Sequence, residues 1–102
     1  MIFDRRAYIK LARTIENTLR HSEIDQLAKL YELEDYIEGV NKTDKSTSLV
    51  AIVESRVDSI SHDFNLKNFI EDYFSYLSEY QISNNQYVEE LNKSFLNHMA
   101  IL

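Results

Sequence analysis

The chain has 102 residues, a length that suits one domain with a single hydrophobic core. One glycine and no proline leave few residues for the tight turns of an all-β domain, so the composition favours helices. The apolar content of 44% argues against intrinsic disorder, the absence of cysteine excludes disulfides and thiolate zinc sites, and the net charge of −6 argues against nucleic-acid binding.

The expected location is the cytoplasm. The N-terminus becomes charged at Asp4, and the sequence has no apolar run long enough for a signal peptide or a membrane span. Cysteines that would mark an oxidising compartment are also absent. We therefore expect neither a membrane nor a nucleic acid as a partner.

Charge is divided unevenly along the chain. Residues 1–21 contain five basic and two acidic side chains, whereas residues 22–40 contain one basic and six acidic side chains. Residues 41–60 are balanced, and residues 61–102 are again acidic. The sequence thus predicts a molecule with a basic part and an acidic part.

A first helix is predicted over residues 4–20. Its apolar residues recur at steps of three and four and form one face: Phe3, Ala7, Tyr8, Leu11, Ile15 and Leu19. Basic residues occupy the opposite side, and we name four of them the basic ridge: Arg5, Arg6, Lys10 and Arg13.

A second helix follows, with Ser22 as its N-cap and Asp25 three positions later as a weak capping box. Its predicted buried residues are Ile24, Leu27, Ala28 and Tyr31. Residues 33–39 are predicted to form a short third helix or turn, ended by a left-handed Gly39. Four acidic residues of this region form what we name the acidic face: Asp25, Glu32, Asp35 and Glu38.

The polar residues 41–46 are predicted to be a loop, after which a fourth helix buries a β-branched and aliphatic set: Leu49, Val50, Ile52, Val53 and Val57. A strand is the alternative for this segment. The helix is preferred because Val50, Val53 and Val57 keep the three-four step and no second strand candidate exists to pair with one.

A fifth helix carries the most aromatic stripe of the sequence: Leu66, Phe69, Ile70, Tyr73, Phe74 and Leu77. Ser83 and Gln86 have the spacing of a capping box for a last helix, with Val88, Leu91, Phe95 and Met99 on its buried face. The predicted fold is all-α, a compact antiparallel bundle of six helices. We expect a single domain over residues 1–102, with a core over about residues 4–80 and the last helix at about residues 84–101.

The sequence offers no constellation for catalysis. The three histidines, His21, His62 and His98, are scattered without metal-ligand spacing, and one glycine cannot build a phosphate-binding loop. The acidic residues lack the ligand order of a calcium loop. We therefore expect a protein that is not an enzyme and that holds no metal or cofactor.

The first half of the chain contains several features in a definite order. The helix of residues 23–30 is followed by the acidic-aromatic Glu34-Asp35-Tyr36 and then by Gly39. A lysine-bearing segment, residues 42–45, precedes the apolar helix of residues 49–56. From Leu11 to Val57 this order resembles the effector-associated domains of bacterial conflict systems, six-helix modules related in fold to the death-domain superfamily.

The resemblance implies a death-fold-like adaptor that recruits partners by homotypic contacts, in antiviral defence or regulated cell death. Its partners would be similar domains or an effector such as a protease, and it could form homo-oligomers. From the charges alone, the basic ridge and the acidic face are complementary, so copies can associate into a ring or a filament. The alternative is a small acidic regulator, such as an antitoxin or a phage-encoded inhibitor, that blocks a partner protein.

Overall fold

Six α-helices and one short 3₁₀ turn form the part of the chain that the structure describes. The computed structural model describes residues 5–61 and 63–99, with side chains as far as Lys93. The helices are α1 Arg5–Thr18, α2 His21–Leu30, α3 Lys42–Asp58, α4 Leu66–Phe74, α5 Glu79–Asn84 and α6 Gln86–Met99, and the 3₁₀ turn is Glu34–Tyr36. No strand occurs among the described residues, and the predicted all-α bundle of six helices is confirmed.

Some predictions concern residues outside this description. They are the helix start at Asp4, the core position Phe3, the histidine His62, and the side chains of Phe95, His98 and Met99. These predictions stay predictions.

Helix α1 packs against α3 on one side and against α6 on the other. Its predicted apolar face is confirmed for every described member, because each is at most 5% exposed: Ala7, Tyr8, Leu11, Ile15 and Leu19. Thr14 is buried in the same region, and its hydroxyl contacts the carbonyl oxygens of Lys10 at 2.7 Å and of Tyr87 in α6 at 3.2 Å. With this side of α1 buried, its charged residues lie on the outside.

Helix α2 begins earlier than the capping pattern predicts. Ser22 lies inside the first turn, and the backbone N–H of Arg20 donates a hydrogen bond to the Glu23 carboxylate at 2.8 Å. A carboxylate at the third helical position reaches back to the residue that precedes the helix, so Glu23 performs the role assigned to Asp25. The buried residues of α2 are as predicted: Ile24, Leu27 and Ala28 are fully buried and Tyr31 is half-buried.

The predicted loop at residues 41–46 is wrong, because α3 begins at Lys42. Asn41 is its N-cap, and the Asn41 side-chain oxygen accepts a hydrogen bond from the backbone N–H of Asp44 at 2.7 Å. Polar residues at a helix N-terminus satisfy unpaired backbone N–H groups, so their composition resembles that of a loop. The preference for a helix over a strand is confirmed, and Leu49, Val50 and Val53 are buried in α3 while Ile52 and Val57 are half-buried.

Gly39 has the predicted left-handed backbone, with φ of +84°, but it does not end a helix. The 3₁₀ turn ends at Tyr36, and Gly39 lies in the segment that leads into α3. A Cβ atom at this position would overlap with the Cβ of Asp44. The glycine therefore allows the chain to pass closely over the first turn of α3.

The aromatic stripe of α4 forms much of the core, as predicted. Every member is at most 9% exposed: Leu66, Phe69, Ile70, Tyr73, Phe74 and, just after the helix, Leu77. The Tyr73 hydroxyl lies 2.5 Å from the hydroxyl of Thr18, so a polar contact joins α4 to the end of α1. The core thus contains one hydroxyl pair among apolar side chains.

The predicted capping box of the last helix is also wrong. Ser83 lies within α5, a helix that the sequence pattern did not reveal. The capping box forms five residues earlier: the Ser78 hydroxyl accepts from the Gln81 backbone N–H at 3.1 Å, and the Gln81 side chain accepts from the Ser78 N–H at 3.0 Å. Both Ser-x-x-Gln spacings exist in the sequence, and the pattern alone does not distinguish them.

The buried tyrosines are expected to make the folded state less stable at high pH. Burial raises the pKa of Tyr73 well above its ordinary value of 10, although the hydrogen bond with Thr18 offsets part of this rise. Burial likewise raises the pKa of Tyr8 and of Tyr31. These tyrosines remain protonated in the folded protein at a pH where the unfolded chain loses its protons.

We therefore expect the free energy of unfolding to be constant below pH 10 in respect of these groups and to fall above it. The fall is up to about 1.4 kcal/mol per pH unit for each such tyrosine. Urea unfolding between pH 8 and about pH 11.5 measures the slope. Tyr73→Phe should give a smaller slope than the wild type, and an equal slope would contradict the role of Tyr73.

Candidate interaction surfaces

The basic ridge lies on the outer side of α1, and the structure distinguishes its members. Arg5, Arg6 and Arg13 are exposed, whereas Lys10 is half-buried. The Arg5 guanidinium lies 3.8 Å from the carboxylate of Glu54 in α3, and the Arg5 side chain remains 79% exposed. Arg5 therefore links α1 to α3 while most of its surface stays in solvent.

The acidic face is exposed at all four positions, but one member has a partner within the chain. The Asp25 carboxylate accepts from Lys45 of α3, with both oxygens 3.2 Å from the ammonium nitrogen. The Lys45 side chain is only 16% exposed, so this pair joins α2 to α3. The exposed charge of this face that has no ion pair within the described residues is consequently at Glu32, Asp35 and Glu38, from the end of α2 to just after the 3₁₀ turn.

Glu32 has a structural role that the sequence pattern did not reveal. It has a left-handed backbone, with φ of +58°, two residues after the end of α2. Its N–H donates to the carbonyl of Lys29 at 3.0 Å, and the N–H of buried Leu33 donates to the carbonyl of Ala28 at 2.8 Å. These two bonds are the Schellman motif that ends many helices, usually with glycine at the left-handed position.

A cation–π contact lies beside the acidic face. The guanidinium carbon of Arg56 in α3 lies 5.3 Å from the centroid of the Tyr36 ring, and Arg56 Nη2 donates to the Tyr36 hydroxyl at 3.1 Å. Tyr36 is 46% exposed, so a large aromatic surface is held in place on the outside of the molecule. No sequence pattern indicates this pair, because the two residues are twenty positions apart.

A cleft of about 440 Å³ lies at the start of α4. Its wall includes Tyr31 and Phe64, whose ring centroids are 5.5 Å apart, and its rim includes Asp63 and Asp72. The Tyr31 hydroxyl donates to the Asp72 carboxylate. Among the described residues, no group of three histidine or acidic side chains is placed to hold a metal ion.

Two shallow grooves run along the outer side of α3. One groove, of about 190 Å³, lies between α3 and α1 and is lined by Ile9 and Ala12. The other, of about 290 Å³, lies between α3 and the 3₁₀ turn and is lined by Tyr36 and Ile52. Exposed Ala51 of α3 lines both grooves and separates them.

In comparisons with known proteins, no protein-family model, curated protein or solved structure matches this chain. The resemblance to effector-associated domains therefore stays a prediction from the residues. Within the part of the chain that the structure describes, no helix is both long enough and apolar enough to cross a bilayer.

Because a left-handed backbone is costly for a residue with a Cβ atom, we expect Glu32→Gly to raise the free energy of unfolding by about 1 kcal/mol. Glu32→Ala is the matched control, since it removes the carboxylate but keeps the Cβ atom. Chemical denaturation of both variants measures the difference. If the alanine variant gained as much stability as the glycine variant, the carboxylate rather than the backbone would be the cause.

Proposed function

We propose that this chain is a non-catalytic protein-interaction domain that binds copies of itself, or similar domains, through the basic ridge and the acidic face. The observation that carries this proposal is the separation of exposed charge on the folded surface. Arg6 and Arg13 are exposed on α1, whereas Asp35 and Glu38 are exposed around the 3₁₀ turn. Such opposite charges on different parts of one surface favour association between copies.

Two of the ion pairs among the described residues bear on which residues make the contact. Arg5 and Asp25 each have a partner in α3, so a second molecule would compete with that partner. Arg13 has no ion pair within the described residues, and it extends from the same helix face as Arg6. We therefore centre the contact on Arg13 of one copy and on the exposed carboxylates of the acidic face of the other.

The cellular role follows from the resemblance to effector-associated domains. On that resemblance we propose that the chain acts as an adaptor in bacterial antiviral defence or regulated cell death, where it would recruit an effector such as a protease. The recruited effector, and whether recruitment activates or inhibits it, belong to this cellular role and not to the contact between the two charged surfaces.

The charge-reversed variant Arg6→Glu/Arg13→Glu tests the contact. We expect its self-association in low salt to be weaker than that of the wild type by about tenfold or more. Raising the salt should weaken wild-type association as well, because exposed charges are screened within about 8–10 Å at 0.10–0.15 M salt. Sedimentation equilibrium measures both effects.

The matched control is Lys67→Glu/Lys93→Glu, which changes the net charge equally on α4 and α6. Both lysines are exposed, and each has an acidic neighbour one helical turn away, Glu71 at 3.9 Å and Glu89 at 3.5 Å. This control should associate like the wild type. Equal association of all three proteins in low salt would refute the proposed contact.

A second candidate function is that of an acidic regulator that blocks a basic site on a partner protein. The observation that favours it is the cleft beside α4, where the carboxylates of Asp63 and Asp72 lie next to the rings of Tyr31 and Phe64. Carboxylates and aromatic faces both attract a basic side chain. Stoichiometry separates the candidates, because a blocker forms a closed one-to-one complex with its target and shows no charge-dependent self-association.

A further inference from the structure

The outer face of α3 combines several features of a contact surface. We name as the α3 face the small exposed or half-exposed residues Thr47, Ser48, Ala51 and Ser55. They line the two grooves described above, and Ala51 lies where the grooves meet. Small residues on a helix allow another helix to approach closely, within the usual 8–10 Å between helix axes or less.

Both grooves have an exposed apolar residue on their outer rim. Ile9 of α1 is 52% exposed on one side, and Tyr36 of the 3₁₀ turn is 46% exposed on the other. Burial of such side chains contributes about 25 cal/mol for each Å² of apolar surface removed from water. The α3 face is thus a shallow surface with two apolar rims.

The two rims differ in charge. On the α1 rim, exposed Arg13 follows Ile9 by one helical turn, whereas Glu38 is exposed on the rim of the 3₁₀ turn. Glu54 offsets Arg5 on the first rim, and Arg56 offsets part of the charge on the second. With Arg5 offset, the exposed charge beside Ile9 is that of Arg13, which has no ion pair within the described residues, and the exposed charge beside Tyr36 is that of Glu38.

This arrangement determines how two copies can meet through the α3 face. If the two-fold axis ran across α3, each rim would face the same rim of the other copy, and like charges would repel. If the axis runs parallel to α3, the α1 rim of each copy faces the 3₁₀ rim of the other, and the attraction occurs twice. An isologous contact of this second kind is closed and stops at two copies.

We propose that the α3 face is the contact surface of a dimer of this chain, with the two-fold axis parallel to α3 and Ala51 close to that axis. This inference rests on the proposed function, and it adds the surface, the symmetry and the size of the assembly. Arg13 follows Ile9 by one helical turn on the positive rim, and Glu38 lies beside both the groove and Gly39 on the negative rim. These two charged residues are opposite each other in the proposed dimer.

A bulky residue at the centre of the face tests the surface. Ala51→Trp places a large ring between the two grooves on an exposed helical position, so it should weaken dimer formation by about tenfold or more without unfolding the domain. Ser83→Trp is the matched control on the exposed side of α5 and should dimerise like the wild type. Circular dichroism of both variants checks that the helices are retained.

Exchanged charges test the symmetry. Arg13→Glu and Glu38→Arg should each dimerise poorly alone, since each places like charges opposite each other at both contacts. In an equal mixture every contact joins opposite charges again, so the mixture should form heterodimers with nearly wild-type affinity. Sedimentation equilibrium should give a mass of two chains and no more.

The outcomes separate this inference from the proposed function. Association that is lost in Arg6→Glu/Arg13→Glu but unchanged in Ala51→Trp would leave the charge contact standing and overturn the α3 surface. Growth beyond two copies, or a mixture that fails to recover, would overturn the parallel two-fold axis. Absence of any self-association in low salt would overturn both proposals.

Discussion

The packing of α1 between α3 and α6 is the contact that holds the other elements in place. Leu11 and Ile15 are completely buried in it, and loss of one such side chain typically costs about 2–5 kcal/mol. Thr14 adds a directional constraint, because rotation of α1 about its axis would separate its hydroxyl from the Tyr87 carbonyl. Both the apolar stripe and this hydrogen bond therefore determine which residues of α1 face the solvent.

Charge is used in two ways in this molecule. Lys45 is largely buried and needs a partner to offset its loss of hydration, so its pair with Asp25 is part of the fold. The pair between Arg5 and Glu54 is more exposed and contributes little to stability. Under the proposed function, the charges offered to a partner are Arg13 on the outer side of α1 and the carboxylates around the 3₁₀ turn.

Much of the fold could be predicted because it depends on periodicity. The core faces of α1, α2 and α4 follow directly from steps of three and four, and the left-handed Gly39 follows from the chemistry of glycine. The helix boundaries could not be predicted in the same way. Asn41 is a cap that resembles a loop residue, and the sequence offers two Ser-x-x-Gln patterns of which only the one at Ser78 is used.

The candidate surfaces were predictable in composition but not in arrangement. The basic ridge and the acidic face are visible in the order of charges, yet the partners of Arg5 and Asp25 depend on how α3 packs. The left-handed Glu32 has no sequence signal, since glycine is the residue expected at that position. The grooves on either side of Ala51 arise from the packing of three elements that are distant in the sequence.

The cation–π contact and hydrogen bond between Arg56 and Tyr36 have a consequence for the rate of binding. A tyrosine on a surface usually samples several rotamers, and fixing one on association costs side-chain entropy. Here the hydrogen bond and the stacked guanidinium restrict the ring before any partner arrives. The aromatic rim is thus preorganised, so an encounter can become a stable complex without waiting for this side chain to reorient.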